Sequence, residues 1–399
     1  MISELSNIVQ PYAWGSRSAL AELRGESTPA AAPEAELWMG AHPLAPSTLL
    51  SNGDTLEAAI TTAPTEHLGS AVAAEYGARL PFLLKILAAD TPLSLQAHPS
   101  LAQAMAGFAS DEATGIALDA PTRNYKDQNH KPELLCALSE FWALCGFRDV
   151  PRTLALLDEL AVAELSPYRS ALAAAPNRAG ISEVFGRLMQ APVEQRRALA
   201  AATTAACAAR QAHSHGFARE LAWGARIGEL YPGDVGVVSA LLLNLVRLAP
   251  GEAIYLPAGN LHAYLGGTGV EIMASSDNVL RGGLTPKHVD VPELLRVLDF
   301  SPLQVTPLRP EPSGPEHAYP TPAREFRLSY FDLDAQTLEV SVSGPEIWLV
   351  TAGSVELSHR GSPPLQLARA RSAFVSASTG QLELRGSGRI FRAKVAQPG

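Results

Sequence analysis

Pro257 and Gly259 interrupt a strand-forming run, Gly251-Glu-Ala-Ile-Tyr-Leu-Pro257-Ala-Gly259-Asn-Leu-His262, and this break restricts the fold more than any other stretch. Proline fixes φ and glycine accepts positive φ, so the pair predicts a sharp bend between two extended segments, with His262 carried inward on the second. Upstream lie Gln96-Ala-His98-Pro and Lys131-Pro-Glu133. Side chains two apart on a strand share a face, which sets Gln96 beside His98 and Lys131 beside Glu133. Four N/O donors from three distant strands meet only inside a closed barrel. That predicts a metal enzyme.

The chain changes character along its 399 residues, a length that accommodates two or three domains. Residues 1–150 mix short apolar runs with Pro/Gly turns, and in Thr91-Pro-Leu-Ser-Leu-Gln-Ala-His98 apolar and polar residues alternate as in a strand. Residues 151–230 turn to Ala, Leu, Arg and Glu at helical spacing, punctuated by Pro167, Pro176 and Pro192. His213 and His215, two apart in that block, read as surface residues. Strand character is expected again from Tyr231, and residues 231–301 include a short helix from Val291 with Pro292 in its first turn. Residues 302–324 read as a Pro-rich, non-repetitive linker, and 325–399 alternate like β-structure.

Composition narrows the function. The formal charge of −9 argues against a general nucleic-acid role, and an anionic substrate then needs a locally basic pocket. No run approaches the ~20 apolar residues of a membrane span, and the start lacks the basic and apolar regions of a secretory signal. Cys136, Cys145 and Cys207 are odd in number without CxxC spacing, which fits reduced thiols and a cytoplasmic protein. Gln96, His98, Glu133 and His262 form a cysteine-free N/O set that suits zinc with a position left open, and would also accept manganese, iron or cobalt.

The spacing around Pro257 and His262 resembles the second motif of the cupins, small jelly-roll barrels that often hold a metal. Tyr12-Ala-Trp-Gly15, Ala35-Glu-Leu-Trp-Met-Gly-Ala-His-Pro43, Leu95-Gln-Ala-His-Pro99, Asn124-Tyr-Lys-Asp127, Asn129-His-Lys-Pro-Glu-Leu134, His262-Ala-Tyr-Leu265 and Ser276-Asp-Asn-Val-Leu-Arg281 go further. With Gly282-Gly-Leu-Thr-Pro-Lys287 they resemble the type I mannose-6-phosphate isomerase family, in that family's order, from residue 7 to about 300. The resemblance implies a mainly β chain: cupin barrels with an inserted α-helical domain, the C-terminal one without metal ligands. It implies one zinc ion per chain on Gln96, His98, Glu133 and His262, with Arg281 as the catalytic arginine. The substrate is then a sugar phosphate, with no nucleic-acid or membrane partner, and a monomer is expected. Two departures stand out: Ser100-Leu101-Ala102 offers no lysine where the family commonly has one, and Gly282 replaces a common alanine, which predicts a looser arginine loop.

Aldose–ketose interconversion moves one proton between adjacent carbons and another between their oxygens, with a cis-enediol between. Arg281 stays protonated at neutral pH, so it is expected to stabilise the enediolate or grip the phosphate. Lys287 is a candidate second phosphate contact. For the base, Lys131 beside a dication is one candidate, and Asp277 and Glu271 are rivals; Glu271 is alternatively a structural partner of Arg281. Tyr264 and Trp14 are candidates for lining the sugar site. Two other classes share the barrel, a metal-dependent oxygenase and a non-catalytic sugar-binding cupin. The first motif split between 96–98 and 133 disfavours the oxygenase, and the full donor set with Arg281 disfavours the binding module.

Overall fold

The computed structural model describes residues 1–396, and its strands form two large sheets. The strand His262–Ala274 is the spine of the ten-stranded sheet. Its first half pairs with Gln96–Ala97 and Phe141–Phe147, and its second with Phe82–Ala89 on one edge and Glu133–Ala137 on the other. The change of partners falls at Gly266 and Gly267, where the register shifts. Gly267 has φ +120°, and a Cβ there would stand 2.5 Å from the Glu140 carbonyl oxygen, so glycine is required. Residues from both halves line one cavity.

The bend predicted at Pro257 and Gly259 is present. It separates the strands Ala253–Leu256 and His262–Ala274, with Gly259 at φ +75°. Gly259 also donates its N–H to the His98 carbonyl at 2.8 Å, which ties the turn to a second candidate ligand.

In the nine-stranded sheet the long strands Arg327–Ser341, Glu346–Ser358 and Gln381–Lys394 pair in antiparallel fashion. The chain's first strand, Ile2–Ser6, joins this sheet through Ser372–Val375. Leu5, Leu37, Phe82, Leu134, Tyr319, Ile347 and Phe374 belong to one buried cluster, so the two sheets share a core.

The Ala-rich block forms the helices Val150–Leu160, Ser166–Ala174, Arg178–Gln190, Val193–Arg210 and Ala218–Leu230. Asp149 and Asn177 cap two of them by accepting backbone N–H groups. Leu156, Leu160, Phe185 and Leu221 bury themselves in one cluster with Leu95, Leu144 and Ala263. The helices therefore cover the outer side of the half-sheet that carries His262, and His213 and His215 are exposed.

Four expectations need correcting. Helix and strand are about equal, so the chain is mixed rather than mainly β; short helices at Leu56–Thr62, Pro64–Leu68, Ser70–Tyr76 and Leu101–Ala113 add to the Ala-rich block. Of Thr91–His98 only Gln96–Ala97 is strand, because Leu93 and Leu95 donate to the Tyr264 and Gly283 carbonyls rather than to a regular ladder. Residues 231–234 form a turn, in which Asp234 accepts from the Gly236 and Thr285 N–H groups, and strand resumes only at Leu243. The Pro-rich linker holds a short hairpin, Glu311–Ser313 with Glu316–Ala318, ordered because the latter strand pairs with Arg327–Ser341.

Candidate active site

His98, Glu133 and His262 converge, all buried, with one ligand atom from each within 4.8 Å of the others. Glu133 Oε1 lies 3.4 Å from His98 Nε2, and Glu133 Oε2 lies 3.5 Å from His262 Nε2. On the far side of each ring, Nδ1 meets a backbone carbonyl: Asn278 at 2.8 Å for His98 and Asn260 at 3.0 Å for His262. A carbonyl only accepts, so both Nδ1 atoms carry the proton and both Nε2 lone pairs face Glu133. His98 Nε2 is buried without a hydrogen-bond partner among the described residues. Burial lowers its pKa to about 4, against the pull of Glu133, so the ring is neutral near pH 7. Two imidazole lone pairs aimed at one carboxylate are what a borderline cation such as zinc accepts.

Gln96 is the cross-strand partner of both His262 and Arg281, which places it between the two. Its amide N–H donates to Ser94 Oγ at 3.2 Å. Gln96, Glu133 and His262 line a cavity of about 570 Å³ together with Lys131, Tyr264, Glu271, Asp277, Arg281, Lys287 and Trp14. His98, 1% exposed, does not line it.

Charge in this cavity is arranged as a buried chain. Trp38 Nε1 donates to Glu36 at 2.6 Å, Lys85 lies 3.7 Å from Glu36 and 3.1 Å from Glu271, and Tyr264 donates to Glu271 at 2.8 Å. Lys131 Nζ lies 3.1 Å from Glu133. Burial alone would lower the Lys85 pKa, but Glu36 and Glu271 outweigh it and raise it. Burial raises Glu271 despite Lys85, whereas in Glu133 burial is opposed by the pull of Lys131 and the carboxyl is held well below its usual range. Three buried carboxylates, Glu36, Glu133 and Glu271, thus face two buried lysines, Lys85 and Lys131. An additional cation there would offset the remainder.

Glu271 does not pair with Arg281, because Lys85 and Tyr264 hold both its oxygens. Arg281 makes no side-chain hydrogen bond or ion pair among the described residues, and burial lowers its pKa. An unpaired guanidinium in a cavity is a ready anion site. Lys287 is exposed on the same wall and repelled by Arg281. The arginine loop is tied to the neighbouring segment: the Gly282 N–H donates to the Leu95 carbonyl at 2.8 Å, and Leu95 donates to the Gly283 carbonyl at 3.1 Å. Trp14 is half-buried and stacks on Tyr12 at 5.8 Å. Asp277 is 41% exposed and stands 3.2 Å from the buried His42.

Sequence reasoning gave Lys85, Glu36 and His42 no role. Lys85 had a signal, since it is the one charge inside the apolar run Leu80-Pro-Phe-Leu-Leu-Lys-Ile-Leu87 and a buried charge needs a partner.

Residues 2–150 match the family model for the phosphomannose isomerase type I catalytic domain. Mannose-6-phosphate isomerase of Shigella flexneri is 40% identical over 396 residues, covering 98% of this chain and 99% of that protein. The chain belongs to the type I phosphomannose isomerase family. The Homo sapiens mannose-6-phosphate isomerase is 34% identical and covers 94% of this chain and 93% of its own. A crystal structure of mannose 6-phosphate isomerase bound with zinc and yttrium superposes with a TM-score of 0.91 at 39% identity, over 99% of this chain and 100% of that one. A zinc-bound holo form matches equally well, with a TM-score of 0.91. As a phosphomannose isomerase the chain is an enzyme, a mannose-6-phosphate isomerase.

Proposed function

We propose that this isomerase interconverts mannose 6-phosphate and fructose 6-phosphate through a cis-enediol, with one zinc ion per chain held by Gln96, His98, Glu133 and His262. The observation that carries the reading is the buried, unpartnered Nε2 of His98, aimed at the same carboxylate as His262. Zinc bound there supplies Lewis acidity toward the sugar oxygens. Arg281, free of any internal carboxylate, takes up negative charge, either on the phosphate or as it grows on the enediolate. Lys287 adds a second positive group at the rim, and Tyr264 and Trp14 shape the sugar's walls.

The carbon-bound proton passes to Lys131 or Asp277. Both reach the cavity, and Asp277 keeps solvent exposure for exchange. Glu271 is committed to Lys85 and Tyr264, which suits holding the wall better than carrying the proton. We read the sheet built on His262–Ala274 as a catalytic cupin barrel from 1–150 and 231–301, with 151–230 as its helical insert. Residues 302–324 link it to a second cupin-like half, 325–399, whose last three residues lie outside the described ones. Three buried, unpaired cysteines fit a reducing cytoplasm, and no helix among the described residues is long and apolar enough to cross a membrane. We expect a monomer.

A coupled assay on mannose 6-phosphate, with and without chelator, tests the reading. Activity should disappear with chelator and return with zinc. Full turnover in protein shown by elemental analysis to be metal-free would overturn the zinc assignment.

A further inference from the structure

A second cavity of about 820 Å³ adjoins the catalytic one, and His42, Leu44 and Asp277 line both. The partition between them is therefore built from a histidine and the carboxylate beside it. His42 is 4% exposed, its ring packs edge-on against Trp38 at 4.8 Å, and its Nδ1 accepts the backbone N–H of Leu44 at 3.3 Å. An Nδ1 that accepts has no proton, so the neutral ring carries its proton on Nε2, which lies 3.2 Å from Asp277 Oδ1. Asp277 Oδ2 has no partner among the described residues. The Asp277 backbone is fixed as well, since its N–H donates to Asp127 Oδ2 at 2.8 Å.

We infer that His42 is a positioning residue for proton transfer: it orients Asp277 on the wall between the two cavities. The inference rests on the reading of Asp277 as a proton carrier. With Oδ1 engaged by the Nε2–H of His42, the free Oδ2 is the atom left to take a proton. The C–H bond of the sugar breaks, its electron pair stays in the forming enediol, and the proton goes to Oδ2. Protonated Asp277 then returns it to the neighbouring carbon or exchanges it with water. Asp277 lines both cavities, so water of the outer one reaches it directly. Burial opposes ionisation of Asp277, but His42, Lys131 and Lys85 outweigh it, so the resting carboxylate is charged and ready to accept.

The test compares His42→Ala, His42→Gln, His42→Asn and Asp277→Asn on the zinc-loaded enzyme, reading kcat, KM and deuterium incorporated per turnover in heavy water. His42→Ala should lower kcat about tenfold to a hundredfold, part of the roughly 10²–10⁴ that a positioned proton carrier contributes. KM should change little, and deuterium per turnover should rise, because an Asp277 no longer held in place returns its proton more slowly and leaves more time for exchange. Gln places an amide N–H near the position of Nε2 and should restore part of kcat, whereas Asn, which mimics Nδ1, should not. His42→Ala in the Asp277→Asn background should cost little more than Asp277→Asn alone. Normal kcat and unchanged exchange in His42→Ala, with Asp277→Asn inactive, would overturn this inference and leave the reading of Asp277 standing. Full turnover in Asp277→Asn would remove the reading itself. If His42→Ala does not fold, Gln and Asn decide between them: equal impairment of both overturns the role.

Discussion

His130 Nε2 and Glu325 Oε1 lie 2.6 Å apart, joining the residue next to Lys131 to the segment that leads into the second sheet. The loop around them is fixed on its other side too: Arg79 donates to Asn129 Oδ1 at 3.0 Å, and Asn278 donates to the Asn129 carbonyl at 2.9 Å. The C-terminal half thus buttresses the loop that presents Lys131 to the cavity, although none of its described residues lines the cavity itself.

Glu325→Ala should therefore lose stability by about 1 kcal/mol and lose turnover through misplacement of Lys131. Burial raises the Glu325 pKa, but His130 outweighs it and the net shift is downward. A carboxyl whose folded pKa is depressed stabilises fully above its unfolded value, about 4.3, and loses that contribution as pH falls through the lower folded value. Urea midpoints from pH 7 to pH 3 should converge for wild type and variant at the acid end. Equal midpoints at pH 7, with equal kcat, would show that the contact positions nothing.

Arg281→Ala should lower kcat by roughly two to three powers of ten, the scale of losing one preorganised electrostatic stabiliser. Zinc content should stay constant, because Arg281 touches none of the three converging ligand groups. Steady-state kinetics separates the roles: a rise in KM alone would mean that the guanidinium grips the ground-state phosphate only. Lysine is not an adequate substitute if the contact is bidentate.

Zinc should stabilise the metal-free protein, since it binds the folded cluster and no comparable site exists in the unfolded chain. The gain is about 2.7 kcal/mol at a free zinc concentration a hundred times Kd. His98→Ala and Glu133→Ala should abolish that thermal shift. A variant that keeps the full shift would remove its residue from the ligand set.

What was legible in the sequence follows from how locally each feature is determined. The Pro257/Gly259 turn and the helices after Val150 rest on backbone-limiting residues and stand where expected, and His98, Glu133 and His262, picked out from short motifs, come together in one buried group. The strand expected over Thr91–His98 failed because its bonds go to Tyr264 and Gly283, residues remote in sequence. The Lys85–Glu271 pair spans 186 positions, and alternation along one strand cannot show which distant carboxylate meets a lysine. His42 was hidden for the same reason: its partner Asp277 lies on another loop.

Solvent hydrogen distinguishes the proton carriers. An enediol path lets the abstracted proton exchange before it is redelivered, whereas a hydride shift does not. Isomerisation in heavy water should place deuterium on carbon two of the aldose and carbon one of the ketose. The amount should be small, because a base at the wall of a narrow cavity returns its proton quickly. Lys131→Ala, Asp277→Ala and Glu271→Ala should then separate by mechanism. The carrier is the residue whose loss abolishes both turnover and exchange while zinc stays bound. Glu271→Ala should act differently, leaving Lys85 with Glu36 alone and Tyr264 without an acceptor, so its main effect is lost stability. The comparison must therefore be made per zinc-loaded folded site, at a temperature where all three variants stay native. Near-normal turnover in both Lys131→Ala and Asp277→Ala would exclude them as sole carriers. Activity lost only in a fully folded, zinc-loaded Glu271→Ala protein would make Glu271 the base.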